Sequence, residues 1–214
     1  DMYWYMRNAD RIEQFKTFGH NPAYLSSVRF DVSRINFTTD INEAVRHSDM
    51  VIFAMPSPYL KMHAEKIEAS FRNKVVISVI KGIVADDNIT ITEYLKSKFR
   101  LEDYQVATLS GPSHAEEVAY ERLTYLTVGC KDDDIAEELA DFFGNYYVHT
   151  TTSQDIIGIQ YAGVLKNIYA IASGIIGGLK YGDNFHAVLT ANAIREMNNF
   201  ISKLAPMPDR QIVE

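Results

Sequence analysis

The chain has one cysteine, Cys130, in 214 residues, so neither a disulfide framework nor a cysteine-based zinc site can be built from it. A catalytic thiol needs positive surroundings, and Cys130 runs into Lys131-Asp132-Asp133-Asp134. It reads as a bystander in a reducing compartment. Positive charge is scarce as well: 21 Lys and Arg against 28 Asp and Glu leave a net charge of −7. Phosphate backbones are bound by basic surfaces, so nucleic acid is not an expected partner. No basic stretch followed by an apolar one opens the chain, so no signal peptide is read. Asp1 is not an initiator, and DMYWYMR reads as a strand already under way. The six histidines (His20, His47, His63, His114, His149 and His186) lack metal-ligand spacing, and no metal site is expected. One long apolar run exists, residues 156–179, but it carries Lys166 near its middle and five glycines. A lysine at the centre of a bilayer costs about 2.5–3.5 kcal/mol on insertion scales, so a buried helix of a soluble protein is the better reading.

What is present is ordinary globular composition, 47% hydrophobic and 23% charged, in a length that suits one large domain or two modest ones. Up to about His149 short apolar runs alternate with amphipathic segments. Residues 50–55 (MVIFAM), 75–80 (VVISVI), 106–109 and 125–128 read as strands covered on both faces. Between them, Asp40-x-x-Glu43 has a capping-box pattern ahead of Ile41, Ala44 and Val45. Tyr59, Leu60, His63, Ala64 and Ile67 follow helical spacing, as do Ile91, Tyr94 and Leu95, and then Ile135, Leu139 and Phe142. Strands alternating with helices predict a doubly wound α/β domain with a parallel sheet. After Thr150 the strand signals stop. Asp155 can cap a helix over 156–176, a second helix covers 184–204, and residues 205–214 read as a loop. The domain boundary is placed at 152/153.

Ligands of open α/β sheets bind beyond the carboxyl ends of the strands. Three such ends carry chemistry here: Met55-Pro56-Ser57-Pro58, Lys81-Gly82, and Ser110-Gly111-Pro112-Ser113-His114-Ala115. The last is a strand-to-helix turn with two hydroxyls, suited to an anion. Lys166-Asn167 interrupts the apolar helix, and a lysine among Ile159, Ala162, Val164 and Leu165 is expected in a cleft. There, desolvation and the neighbouring Lys81 would lower its pKa, which suits proton transfer or polarising a carbonyl. Gly182-Asp183-Asn184 forms the turn between the two helices.

These residues in this order resemble the bacterial-type NAD(P)-dependent glycerol-3-phosphate dehydrogenase family. The matching segments are Trp4–Arg7, Gly19–Leu25, Pro56-Ser57, Lys81-Gly82, LSGPSHAEEVA (109–119), GVLKNIYAIASGIIGGLKYGDN (163–184) and Glu196-Met197. The resemblance covers nearly the whole chain. It implies a Rossmann-like dinucleotide-binding domain over 1–152, without its first strand, and the start of an all-α substrate domain over 153–214. It further implies hydride transfer between sn-glycerol 3-phosphate and dihydroxyacetone phosphate with NAD or NADP, feeding phospholipid synthesis in the cytoplasm. By position, Lys166 is the proton acceptor, Lys81 contacts substrate and cofactor, Gly111 and Ser113 border the substrate, and Arg7, Pro56 and Ala115 border the cofactor. The expected partners are a small-molecule substrate and a second copy of the chain.

Three departures bear on that expectation. The family's first strand and G-x-G-x-x-G turn are expected ahead of Asp1. Its Gly-Asp-Leu and Ser-Arg-Asn segments are expected after Glu214, so the chain reads as the middle of a longer enzyme. Asn192 stands where the family usually has arginine. Two alternatives stay open at this point: a related 2- or 3-hydroxy acid dehydrogenase, and a non-catalytic nucleotide-binding module.

Overall fold

The computed structural model describes residues 2–208 and Arg210. The first half is α/β. Strand β1 (Met2–Tyr5) leads into α1 (Ala9–Phe18), which Asn8 caps by accepting from the Arg11 N–H and which Gly19 ends at a φ of 66°. Strand β2 (Ile35–Thr38) returns parallel to β1. Trp4, Phe15, Phe30 and Phe37 pack edge and face between them, with Phe15 fully buried. Next come α2 (Ile41–Arg46), β3 (Met50–Phe53), α3 (Leu60–Ala64) and β4 (Val75–Ser78). A short hairpin, β5 (Ile83–Val84) with β6 (Ile89–Thr90), precedes α4 (Ile91–Phe99). Then β7 (Val106–Ser110), α5 (Ala115–Ala119), β8 (Thr124–Cys130), α6 (Asp133–Phe143) and β9 (Val148–Ser153) complete the main sheet.

That sheet has the order β3-β4-β7-β8-β9, and β1-β2 forms a separate two-stranded piece. The β1-β2 piece is held to the rest by side chains. Tyr3 stacks on His47 at 4.9 Å, and the Tyr5 hydroxyl lies 3.5 Å from His63 Nδ1. Consecutive residues of β4 show why the middle strands read as unbroken apolar runs. Val76 joins a core with Leu60, Ile91 and Leu95 on one face, and Ile77 joins Val128, Ala136 and Leu139 on the other. Leu60, Ile91 and Leu95 are fully buried, each worth about 1.5–3 kcal/mol relative to exposure.

The structure corrects several expectations. The sheet is mixed, because β8 runs antiparallel to β7 across the short α5 connection. Asp40 caps α2 through the Asn42 N–H, but Glu43 accepts from Thr38 Oγ1 instead of closing a capping box. The reciprocal box is built at Thr90 and Glu93, at the start of α4. Phe142 of α6 points outward at 66% exposure, and the buried stripe of that helix is Ala136, Leu139 and Ala140.

The remaining elements are two long helices. Asp155 caps α7 (Ile156–Gly178) by accepting from the Gly158 N–H at 2.9 Å. The helix α8 (Asp183–Leu204) follows the turn at Gly182, whose φ is 83°. The expected burial of α7 holds only for its beginning, through Ile156, Gly158 and Gln160. Ile168, Ile171, Ile175 and Leu179 are all more than half exposed, because among the described residues α7 packs against the sheet only near its start and otherwise against α8. Among those residues no helix is long and apolar enough to cross a membrane.

Candidate active site

Strands β3, β4 and β7 are consecutive parallel neighbours, so their carboxyl ends open on one side of the sheet. All three expected strand ends therefore meet there. Pro56 introduces a 3₁₀ turn over residues 57–59, and Ser57 lies against the Lys81-Gly82 turn. A Cβ built on Gly82 would stand 3.0 Å from Ser57 Oγ. Next along the sheet is Ser110-Gly111-Pro112-Ser113, with Ser113 half-buried and Ala115 exposed on the first turn of α5. Gly111 cannot be any other residue without rebuilding the turn. Its φ is 154°, and a Cβ would lie 2.2 Å from the Tyr125 carbonyl oxygen of β8. α5 spans only five residues, so anion donors at this turn come from its own N–H groups and hydroxyls rather than from a long helix dipole.

Lys166 reaches this edge from α7. That helix is seated by Ile159, which occupies the space left by Gly129 of β8, where a Cβ would stand 2.7 Å from Ile159 Cδ1. One turn on, a Cβ on Gly163 would lie 3.8 Å from Ser110 Oγ. Lys166 is exposed rather than buried, contrary to the expectation of a lysine sunk in an apolar helix. It nonetheless sits close enough to Lys81 for its charge to act there. Burial first, and then the Lys166 ammonium, push the Lys81 amine below the ordinary lysine range. Two amines brought this near each other favour a shared anionic partner, which relieves their repulsion. Lys166 also borders a cavity of about 240 Å3 between α7 and α8, together with Tyr169, Ser173, Thr190 and Met197. The Tyr169 phenol is pushed up by burial and by its hydrogen bond to Glu196.

Arg7 follows β1 at its carboxyl end, exposed, with Arg11 exposed one turn into α1. Its charge reaches His63, whose imidazole is held below its usual value mainly by burial, then by Lys66 and Arg7. In folds of this kind a dinucleotide lies beyond the carboxyl ends of the strands; Arg7 follows the end of β1, Pro56 follows β3, and Ala115 opens the helix after β7. The pyrophosphate end has no glycine seat among the described residues: Gly19, the one glycine before Pro56, ends α1. Cys130 is buried beneath α6, its thiol pushed up by that burial, and takes no part in the cleft.

Two features had no signal in the sequence. The Tyr24 hydroxyl donates to Glu116 Oε1 at 2.7 Å, tying the segment after α1 to α5. Arg210, with a side chain 3% exposed, makes a paired contact with Asp155 at 2.5 and 3.0 Å, joining the segment after α8 to the start of α7. Both pairs are remote in sequence, and neither residue type is unusual in its own surroundings.

Comparison with known proteins identifies the family. The sequence model for the N-terminus of NAD-dependent glycerol-3-phosphate dehydrogenase matches residues 1–136, and that for its C-terminus matches residues 155–212. The chain belongs to this family. Among curated relatives, glycerol-3-phosphate dehydrogenase [NAD(P)+] of Staphylococcus epidermidis is 33% identical over 97% of the chain. The enzyme of the same name from Staphylococcus haemolyticus is 34% identical over 94%. The chain spans 63% and 61% of the length of these two relatives. In fold it is similar to DsGPDH of Dunaliella salina, with a TM-score of 0.86 and 23% identity over 97% of this chain and 37% of that one.

Proposed function

We propose that the complete protein interconverts sn-glycerol 3-phosphate and dihydroxyacetone phosphate with NAD or NADP, and so supplies glycerol 3-phosphate for phospholipid synthesis. The observation that carries this reading is the nearness of Lys81 and Lys166 at the strand ends beside the Ser110–Ser113 turn. A bound nicotinamide supplies the hydride acceptor or donor. The chain's own residues do the rest. Lys166 accepts the proton of the C2 hydroxyl as the C2 hydrogen leaves, and returns it when the ketone is reduced. Lys81 borders substrate and cofactor, and a phosphorylated substrate beside it favours its charged form against the burial and the Lys166 charge that depress it. Gly111 and Ser113 border the substrate through N–H groups and a hydroxyl. Arg7, Pro56 and Ala115 border the cofactor. The division at 152/153 separates the nucleotide-binding part from the part that brings Lys166.

The test is a substrate panel on the complete protein, read by nicotinamide absorbance. Glycerol 3-phosphate and dihydroxyacetone phosphate should turn over, and 2- or 3-hydroxy acids should not. Activity on a hydroxy acid with none on glycerol 3-phosphate would move the protein to a neighbouring dehydrogenase class. Nucleotide binding without turnover of any alcohol would make it a binding module. The same reading carries a cytoplasmic homodimer, which light scattering on the purified protein and fractionation of cells check.

A further inference from the structure

Gln160 lies on α7, six residues before Lys166, with only 6% of its surface exposed. Its amide is fully engaged. Nε2 donates to Thr92 Oγ1 at 2.6 Å and to the Ile156 carbonyl at 3.3 Å, while Oε1 accepts from the Thr92 N–H at 3.2 Å. Thr92, also buried, is the second residue of α4. An apolar side chain of equal length would fill the same space. An amide whose two polar atoms both meet one residue of another element resists sliding or turning of α7, because either motion breaks the bonds together.

Both ends of this bridge lead to a site lysine. Thr92 follows Thr90, which pairs with Ile83 in the β5-β6 ladder, and Lys81 stands two residues before Ile83. Gln160 and Lys166 share one helix, about 9 Å apart along its axis. The charged groups around the bridge are Glu93, which hydrogen-bonds Thr90, and the Asp155–Arg210 pair at the start of α7. The structure assigns to Gln160, acting with Thr92, the role of a positioning residue that sets the separation between Lys81 and Lys166. This rests on reading those two lysines as the working groups of the site.

Two variants of the complete protein test it. Gln160→Met keeps length and removes the hydrogen bonds, and Thr92→Val removes the partner hydroxyl. The primary readout is the pH midpoint at which acetic anhydride acetylates Lys81, followed by mass spectrometry, beside kcat, KM and the thermal midpoint. Burial and the nearby Lys166 charge hold the Lys81 midpoint down, so a displaced Lys166 lets it rise. Gln160→Met and Thr92→Val are expected to raise that midpoint and lower kcat roughly ten- to a hundredfold. A folded Gln160→Met or Thr92→Val protein with both quantities unchanged overturns the proposal, whatever happens to the thermal midpoint. A shifted Lys81 midpoint in a protein inactive on glycerol 3-phosphate keeps the bridge and removes the dehydrogenase reading instead.

Discussion

Gly111 is the position where one added methyl group should do most damage. Its φ of 154° is open to glycine and strained for any other residue, at about 1–3 kcal/mol. The new Cβ would meet the Tyr125 carbonyl oxygen at 2.2 Å and the Leu126 Cα at 3.1 Å. A carbon–oxygen contact wants about 3.3 Å, so roughly 1 Å of movement is required. The oxygen belongs to β8, which is paired on one side with β7 and on the other with β9, so it cannot move without disturbing two ladders. Overpacking of this kind costs about 1–3 kcal/mol, and with the backbone strain Gly111→Ala should lose about 2–6 kcal/mol. That is a large share of the roughly 5–15 kcal/mol that holds a domain together. Urea denaturation of the complete protein measures it. Gly174→Ala is the matched control: nothing lies within 4 Å of its Cβ, and it removes about 0.8–1 kcal/mol of helix penalty from α7, so it should stabilise. A Gly111→Ala protein within about 0.5 kcal/mol of the parent would falsify the account of this turn.

Four further outcomes are expected. Lys166→Ala should cut turnover by about 10²–10⁴ while leaving stability nearly unchanged, because the side chain is exposed; near-normal kcat would end its role as proton acceptor. NADPH should be accepted, since Arg7 and Arg11 are both exposed at the end of β1 and the start of α1, where an acidic residue would repel a 2′-phosphate; a strong preference for NADH in steady-state kinetics would place those guanidinium groups elsewhere. His63 is depressed by burial, so as pH falls below the ordinary histidine value the unfolded chain takes up the proton first. Stability should then drop until the pH passes the lower folded value, and His63→Leu should flatten that limb in a series of melts; an unchanged slope would refute the assignment. A polypeptide of residues 1–214 expressed by itself should aggregate and not turn over, given the free edges of β1 and β3 and the apolar residues exposed along α7; a monodisperse, active polypeptide would contradict this.

Much of the architecture follows from local pattern. The apolar runs at 50–55 and 75–80, the Asp155 cap and the long stripe of α7 each carry their structure within a few residues, because side-chain periodicity and capping are short-range physics. The strand-end turns at Pro56, Lys81 and Ser110–Ser113 were legible for the same reason, as residues that stop a strand and leave polar groups at its end. β9 was not legible, since VHTTTS is polar and owes its pairing to β8 rather than to its own composition. The direction of β8 was not legible either, because a strand's residues pattern its two faces and say nothing of which way its neighbour runs. The exposure of Lys166 and Ile168 depends on what packs over α7, which no periodicity within the helix records. The site itself divides along the same line. Residue types named its members one strand end at a time. Only the order β3-β4-β7, the close approach of Ile159 to Gly129, and the Gln160–Thr92 bridge bring Lys81 and Lys166 within reach of each other, because each of these joins segments far apart in the chain.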